Sequence, residues 1–259
     1  EPVRLLLPGP LVGELQAAGG TVFAGHYEAF DTNDGRSWAR YYVDRIDPVT
    51  GTLAAPVNVP GTLAGVVVEN GTTTLFTRDF QWNPEGRTVQ ALAELVVNGD
   101  RARLRKYLPV EASLGRFVQD GRRLYVTTSP WWWYGDTTAT PELRVYASSA
   151  TAPLGEVSRT VIQRGQNVTA VKGGYLFLGT GWYGGPWDMY AEGDVAGGMP
   201  WYGWGGPSGV TAYSLADAEH PAYRRFIRTN GWVQGLEVRD TTVLVSTGIY
   251  GVQAVTVDR

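Results

Sequence analysis

The sequence predicts an all-β chain built from repeated four-stranded antiparallel sheets. Three observations predict it. A strand–turn–strand unit recurs five times, its turns about fifty residues apart until the last, which is farther by about the length of the aromatic loop; such a spacing suits one four-stranded repeat. The turns are Gly19-Gly20, Asn70-Gly71, Asp120-Gly121, Gly173-Gly174 and Asp240-Thr241, and the first four are hairpin dipeptides that accept positive φ. The composition, 34 Gly and 10 Trp in 259 residues, suits tight turns and aromatic-rich loops.

The elements follow in chain order. First strands are read in VGEL (12–15), LAGVVV (63–68), LGRFV (114–118), VTAV (168–171) and VQGLEV (233–238). Stronger second strands follow the turns: VFAGH (22–26), LFTRD (75–79), LYVTT (124–128), LFLGT (176–180) and VLVST (243–247). Third strands are RYYVDRID (40–47), LAELVV (92–97), LRVYASS (143–149), VTAYSL (210–215) and VQAVTVD (252–258). Fourth strands are APVNVP (55–60), RLRKYLPV (103–110), EVSRTVIQ (156–163) and YRRFIRT (223–229). The fifth unit lacks one, and Val3–Leu7 is the candidate to supply it. These units read as a single five-bladed β-propeller whose last blade the N-terminal strand closes. The blades are approximately 8–60, 61–111, 112–164, 165–230 and 231–259 plus 1–7. A helical turn is expected only over Ser214–His220. These blades could alternatively be part of a larger ring.

Charge and composition exclude several functions. A formal net charge of −3 without a basic run gives nucleic acid nothing to hold. With no Cys, disulfides, thiolate metal sites and cysteine nucleophiles are out. No apolar run reaches the roughly 18–20 residues of a membrane span. EPVRLLLPGP lacks the layout of a signal peptide, so a mature chain or a piece of a longer one is expected.

The informative stretch is Gly181–Gly209, GWYGGPWDMYAEGDVAGGMPWYGWGGPSG. It has no strand or helix period, yet is crowded with aromatics, which disordered segments lack. An ordered surface loop is therefore expected. In a propeller the second-to-third-strand loops, 27–39, 80–91, 129–142, 181–209 and 248–251, open on one face. They carry Trp38, Trp82, Trp131, Trp132, Trp133, Trp182, Trp187, Trp201 and Trp204, with Trp232 entering the fifth blade on the same side. With Tyr183 and Tyr202, these indoles could anchor a protein partner or stack on a sugar ring. They could equally form the loops' own small core, since a long loop must bury something to stay ordered.

Acids share that face: Glu28, Asp31, Asp34, Asp79, Asp136, Asp188, Glu192 and Asp194. Paired carboxylates serve glycoside hydrolysis, so Asp79 with Asp31 or Asp188 is the enzymatic alternative. His26, Asp79, Thr128, Thr180 and Thr247 end equivalent strands and would line the channel. Their other reading is a hydrogen-bonded, water-filled channel without catalysis. Asp31-Thr32-Asn33-Asp34-Gly35 approaches a Ca²⁺ loop but is one residue short, and Asn-Asp-Gly makes a good turn. Met189 and Met199 could bind copper or fill space. No metal site or cofactor is assigned.

From Gly209 the chain reads GVTAYSLADAEHPAYRRFIRTNGWVQGLEVRDTTVLVSTGIYGVQAVTVD. Val210–Leu215, Asp217, Pro221, Gly248, Tyr250 and Gly251 make this stretch resemble the LVIVPD-type repeat of bacterial secreted or surface β-propellers. The resemblance covers about one unit well. It implies the propeller fold and an envelope or extracellular setting, and it carries no catalytic residues. The expected function is a non-enzymatic binding or scaffold module that presents its Trp/Tyr-rich face to a protein or glycan, alone or within a larger assembly.

Overall fold

The computed structural model describes residues 5–33, 35, 37–82, 88–128, 140–163, 165–180, 208–239 and 242–257. Among them the chain is all-β, in five antiparallel sheets. Sheet one runs β1 (Gln16–Ala18), β2 (Thr21–Asp31), β3 (Ser37–Asp47) and β4 (Thr52–Leu53), with β5 (Val57–Val59) also paired to β3. Sheet two is β6 (Thr62–Glu69), β7 (Thr72–Trp82), β8 (Thr88–Asn98) and β9 (Arg101–Val110). Sheet three is β10 (Leu114–Asp120), β11 (Arg123–Thr128), β12 (Glu142–Ala147) and β13 (Gly155–Val161). Sheet four is β14 (Gln166–Lys172), β15 (Tyr175–Thr180), β16 (Gly209–Ser214) and β17 (Ala222–Arg228). Sheet five is β18 (Gly235–Arg239), β19 (Thr242–Ser246) and β20 (Val252–Thr256).

The turn chemistry explains the hairpins. Asn70 and Gly71 have φ of 49° and 74°, the paired left-handed values of the turn that matches strand twist. Asn70 is the one non-glycine residue with positive φ among the described residues. Each sheet repeats the predicted meander of first, second and third strands in antiparallel register. The strands are apolar where both faces are covered: β6 is buried from Leu63 to Val67, and β16 throughout.

Two compact units divide the chain. One is Glu1–Ser113, Gln119–Leu124 and Tyr146–Glu156, and the other is Leu114–Val118, Tyr125–Val145 and Val157–Arg259. The first has a core of Phe23, Val43, Val57, Leu63, Val66, Leu75 and Leu95. Within it the Gln119 amide acts as an extra peptide group on β6: Nε2 donates to the Val66 carbonyl, and Oε1 accepts the Val66 N–H, both at 2.7 Å. Glu94, fully buried, accepts from Arg105 Nη1 and from the Leu154 N–H, each at 2.8 Å. Arg105 also donates to the Ser149 and Ala150 carbonyls, so one buried carboxylate organises the 149–154 segment. The second unit packs Tyr125, Leu143, Val168, Leu176, Leu178 and Tyr213 in one cluster and Phe177, Val210, Ile227, Val243 and Val245 in another.

Several details depart from the sequence reading. The first strand is Gln16–Ala18 rather than 12–15, but Val12 still donates to the Gly25 carbonyl at 2.8 Å. Short polar-flanked runs leave that boundary to tertiary contacts. The second strands of sheets one and two run on to Asp31 and Trp82, so the expected loops 27–39 and 80–91 are mostly strand. Cross-strand packing extends them: Phe30 lies opposite Trp38, and Tyr27 opposite Tyr41. Of Ser214–His220, Ser214 ends β16 and 216–220 are a bend instead of a helical turn, with Asp217 Oδ1 accepting the N–H groups of Glu219 and His220.

Sheet five has three strands, and Leu5–Leu7, the described part of the expected closing strand, pairs in no sheet. Pro8 and Pro10 lack N–H donors, and Leu11 is held against His26 by a bridge on sheet one. Val3 and Arg4 lie outside the described residues. A closed five-bladed ring is therefore not part of the observed architecture. No helix among the described residues is long and apolar enough to cross a membrane.

Candidate functional site

The five strand-end residues expected to line a channel do different things. In the second unit two threonines repeat one device, and a third makes part of it. Thr128 Oγ1 accepts the Glu142 N–H at 2.8 Å and reaches the Glu142 carbonyl at 3.4 Å. Thr180 Oγ1 accepts the Gly209 N–H at 2.5 Å and donates to the Gly209 carbonyl at 3.0 Å. Thr247 Oγ1 donates to the Gly251 carbonyl at 3.0 Å, which also accepts the Thr247 N–H. Each hydroxyl thus ties the end of a second strand to the start of the third strand, or to the residue just before it, across the base of the intervening loop. A hydroxyl can do both because it is donor and acceptor at once.

The loop bases are held further by the backbone. Pro141 and Ser208 each precede the gripped residue, and their carbonyls accept the N–H of Ile162 and Thr229, the residues that follow the fourth strands. The Thr180 carbonyl accepts the Val233 N–H at 3.1 Å. Gly209 is required at its neck, since a Cβ there would lie 2.3 Å from the Ile227 carbonyl oxygen. Thr180 and Ser208–Gly209, the described residues that flank the aromatic stretch, are therefore bonded to one another and to the strands beside them.

Two exposed aromatics stand at this bonded gate. Trp232, adjacent to Val233, is 56% exposed, and Tyr250 is 60% exposed. The Tyr250 ring lies over Gly231, where a Cβ would come within 2.6 Å of Cδ2. Ile249 and Val252, beside them in sequence, are also exposed. Such a group of apolar side chains in water is the kind of surface that marks interaction sites. Trp131, Trp132, Trp133, Trp182, Tyr183, Trp187, Trp201, Tyr202 and Trp204 lie outside the described residues, as does the Trp82 side chain.

In the first unit the equivalent positions carry acid–base groups. His26 Nδ1 is 2.5 Å from Asp44 Oδ2, with both side chains buried. The imidazole stacks on Tyr42 with centroids 5.2 Å apart. Among the described residues, His26 Nε2 and Asp44 Oδ1 are buried without hydrogen-bond partners. Asp79 Oδ2 accepts from Tyr107 Oη at 2.7 Å. Burial, then that carboxylate, pushes the Tyr107 phenol well above its ordinary range.

Asp31 Oδ1 accepts from Ser37 Oγ at 2.6 Å, closing the hairpin end, and the Gly35 N–H meets the Thr32 carbonyl. That geometry is the turn reading of Asp31–Gly35. Asp188, Asp34 and the two methionines lie outside the described residues. Among the described residues no three His, Asp or Glu side chains gather as a metal site. Reasoning from sequence found the threonines as a set through their equal position but missed what they do, because a ring was assumed around them. No family model and no curated protein matches the chain.

Proposed function

We propose that the chain is a non-enzymatic binding or scaffold module that presents aromatic loops to a protein partner or a glycan. The observation that carries this reading is the gate of the 181–208 loop. The fold spends four hydrogen bonds and an obligatory glycine on fixing where this loop starts and stops, and sets exposed Trp232 and Tyr250 at its base. Rigid indoles on a fixed base lose little entropy on binding, which favours them as anchors. The enzymatic alternative rests on Asp31, Asp79 and Asp188, and the two described acids are each engaged by a hydroxyl of their own sheet.

The five sheets are read as blades of one propeller. The resemblance of 209–258 to LVIVPD-type repeats supports that arrangement and a bacterial envelope or extracellular setting. For binding, a glycan array and a pull-down from bacterial envelope would be run with Trp131→Ala, Trp133→Ala, Trp201→Ala and Trp232→Ala. The expected result is lost capture with nearly unchanged thermal unfolding. Equal loss of stability would make those indoles internal packing.

A further inference from the structure

The outermost strands of the sheets differ in how they are guarded. β9 carries four basic residues and Pro109, β13 carries Glu156 and Arg159, and β17 carries three arginines. Charges and proline on an outer strand discourage it from pairing with another chain. Sheet five ends instead on β20, and from Thr242 to Val257 the sequence has no charged residue and no proline. β20 has the composition of a covered strand. β8, β12 and β16 are likewise third strands, and each is hydrogen-bonded to a fourth, antiparallel in sheets two and four. Among the described residues no strand pairs with the outer edge of β20.

The register shows which backbone groups that edge presents. The Thr247 N–H bonds to the Gly251 carbonyl, and the ladder continues with Val245 opposite Gln253 and Val243 opposite Val255. Bonded positions alternate along an antiparallel pair, so Gln253 and Val255 turn their backbone groups to β19. Val252, Ala254 and Thr256 turn theirs outward. Arg225 Nη1 donates to the Thr256 carbonyl at 3.1 Å, so a charge that does reach this edge is positive. Beside the outward groups of Val252 and Ala254 stand apolar side chains in water: Val252 itself is 67% exposed, and Ile249, just ahead of it, 87%.

We propose that the outer edge of β20 docks an extended segment of a partner protein, laid antiparallel as a fourth strand on sheet five. The edge sets the chemistry of that segment. Its backbone meets the N–H and C=O groups of Val252 and Ala254, as in strand addition to other exposed sheet edges. Its apolar side chains lie beside Val252 and Ile249. Its first residue, at the Thr256 end, is an acid that meets the Arg225 guanidinium. A glycan has no ladder of amides to match the edge, and a second copy would bring only an uncharged β20 to Arg225. The inference rests on the reading of the chain as a binding module and narrows its ligand to a protein strand.

The test titrates the full chain into labelled peptides of about ten residues that alternate valine or isoleucine with threonine, led by glutamate or by lysine. Fluorescence polarisation should show the glutamate-led peptides bound about fivefold more tightly than the lysine-led ones, the scale of one exposed ion pair. Ala254→Pro removes an outward N–H and leaves the β19 ladder whole, so it should weaken binding about tenfold, the scale of one lost hydrogen bond. Val252→Lys puts a guard charge on the edge and should weaken binding as much, with the thermal midpoint near wild type. That second variant keeps the test decisive if the proline unfolds sheet five. If no peptide binds, or Val252→Lys binds them as wild type does, the inference is refuted. A wild-type dimer that Val252→Lys turns into a monomer in sedimentation would assign the edge to a second copy and refute it too. Glycan capture without peptide binding would sink this inference and leave the proposed function standing. Peptide binding with full capture by the tryptophan variants would sink the aromatic-loop reading and leave this one.

Discussion

The second-to-third-strand connections of the two units solve the same problem in opposite ways. In the first unit, β2 and β7 run straight on past the residues where the sequence reading ends them, and side chains zip the hairpins. Arg40 lies 4.5 Å over the Phe30 ring across the first hairpin, and within β7 Arg78 lies 4.6 Å over Phe80, each a cation held on an aromatic face. In the second unit the second strands are described as far as Thr128, Thr180 and Ser246, and the hydroxyls of Thr128, Thr180 and Thr247 bond to the backbone across from them. What differs is the residue at the strand end. His26 and Asp79 reach sideways, to Asp44 and Tyr107, and leave the ladder free to continue. Threonine reaches instead to the backbone of the facing strand, or of the residue just before it.

Substitutions can break or sharpen that contrast. The largest effect is expected at Glu94, whose removal takes the buried carboxylate from the largely covered Arg105 and from the Leu154 N–H. Glu94→Ala should cost about 3–5 kcal/mol in urea unfolding, the range for breaking a buried ion pair. A loss below 1 kcal/mol would show that the side-chain zipping of sheet two is dispensable. Next is Gly209→Ala, which must push a Cβ against the Ile227 carbonyl and should cost about 1–3 kcal/mol. Wild-type stability in that variant would mean the gate is loose.

Asp44→Asn follows. It leaves His26 stacked on Tyr42 but weakens a short buried bond, and about 1–3 kcal/mol is expected by chemical denaturation. No change would reduce the pair to a passive core contact. The smallest effect concerns Asp217 at the surface of the second unit. Backbone bonding from Glu219, then the His220 side chain, holds its carboxyl below the ordinary value of 3.8. Its folded pKa is depressed, so the stability it adds is present above that value and is lost as pH falls through the lower folded one. Asp217→Asn should therefore flatten slightly the decline of the thermal midpoint below about pH 4. An identical pH profile would show that the turn's hydrogen bonds contribute nothing to folding.

The legible part of the fold was the part written in turns and periodicity. Gly19-Gly20, Asn70-Gly71 and Gly173-Gly174 fall at hairpin turns because only such residues take paired positive φ cheaply. Asp120-Gly121 is less clean: Gly121 has the positive φ, but Asp120 ends β10. The candidate site was half legible. Thr128, Thr180 and Thr247 stood out by position, but a hydroxyl at a strand end is equally able to face a channel or to grip a neighbour. That choice depends on where the facing strand's backbone lies. His26 was legible as unusual, yet its partner Asp44, eighteen residues on, could not be picked from among many acids.

The sequence by itself determined the all-β class, the five repeated units and the order of their strands, because alternating burial and turn dipeptides are local properties. Tertiary structure alone decided how far each strand runs, which hydroxyls close which loops, and that Leu5–Leu7 pairs in no sheet. Those outcomes depend on non-local neighbours, such as Phe30 against Trp38, Thr180 against Gly209 and Val233 against Thr180. A hydrogen bond between residues far apart in the chain leaves no periodic trace in it.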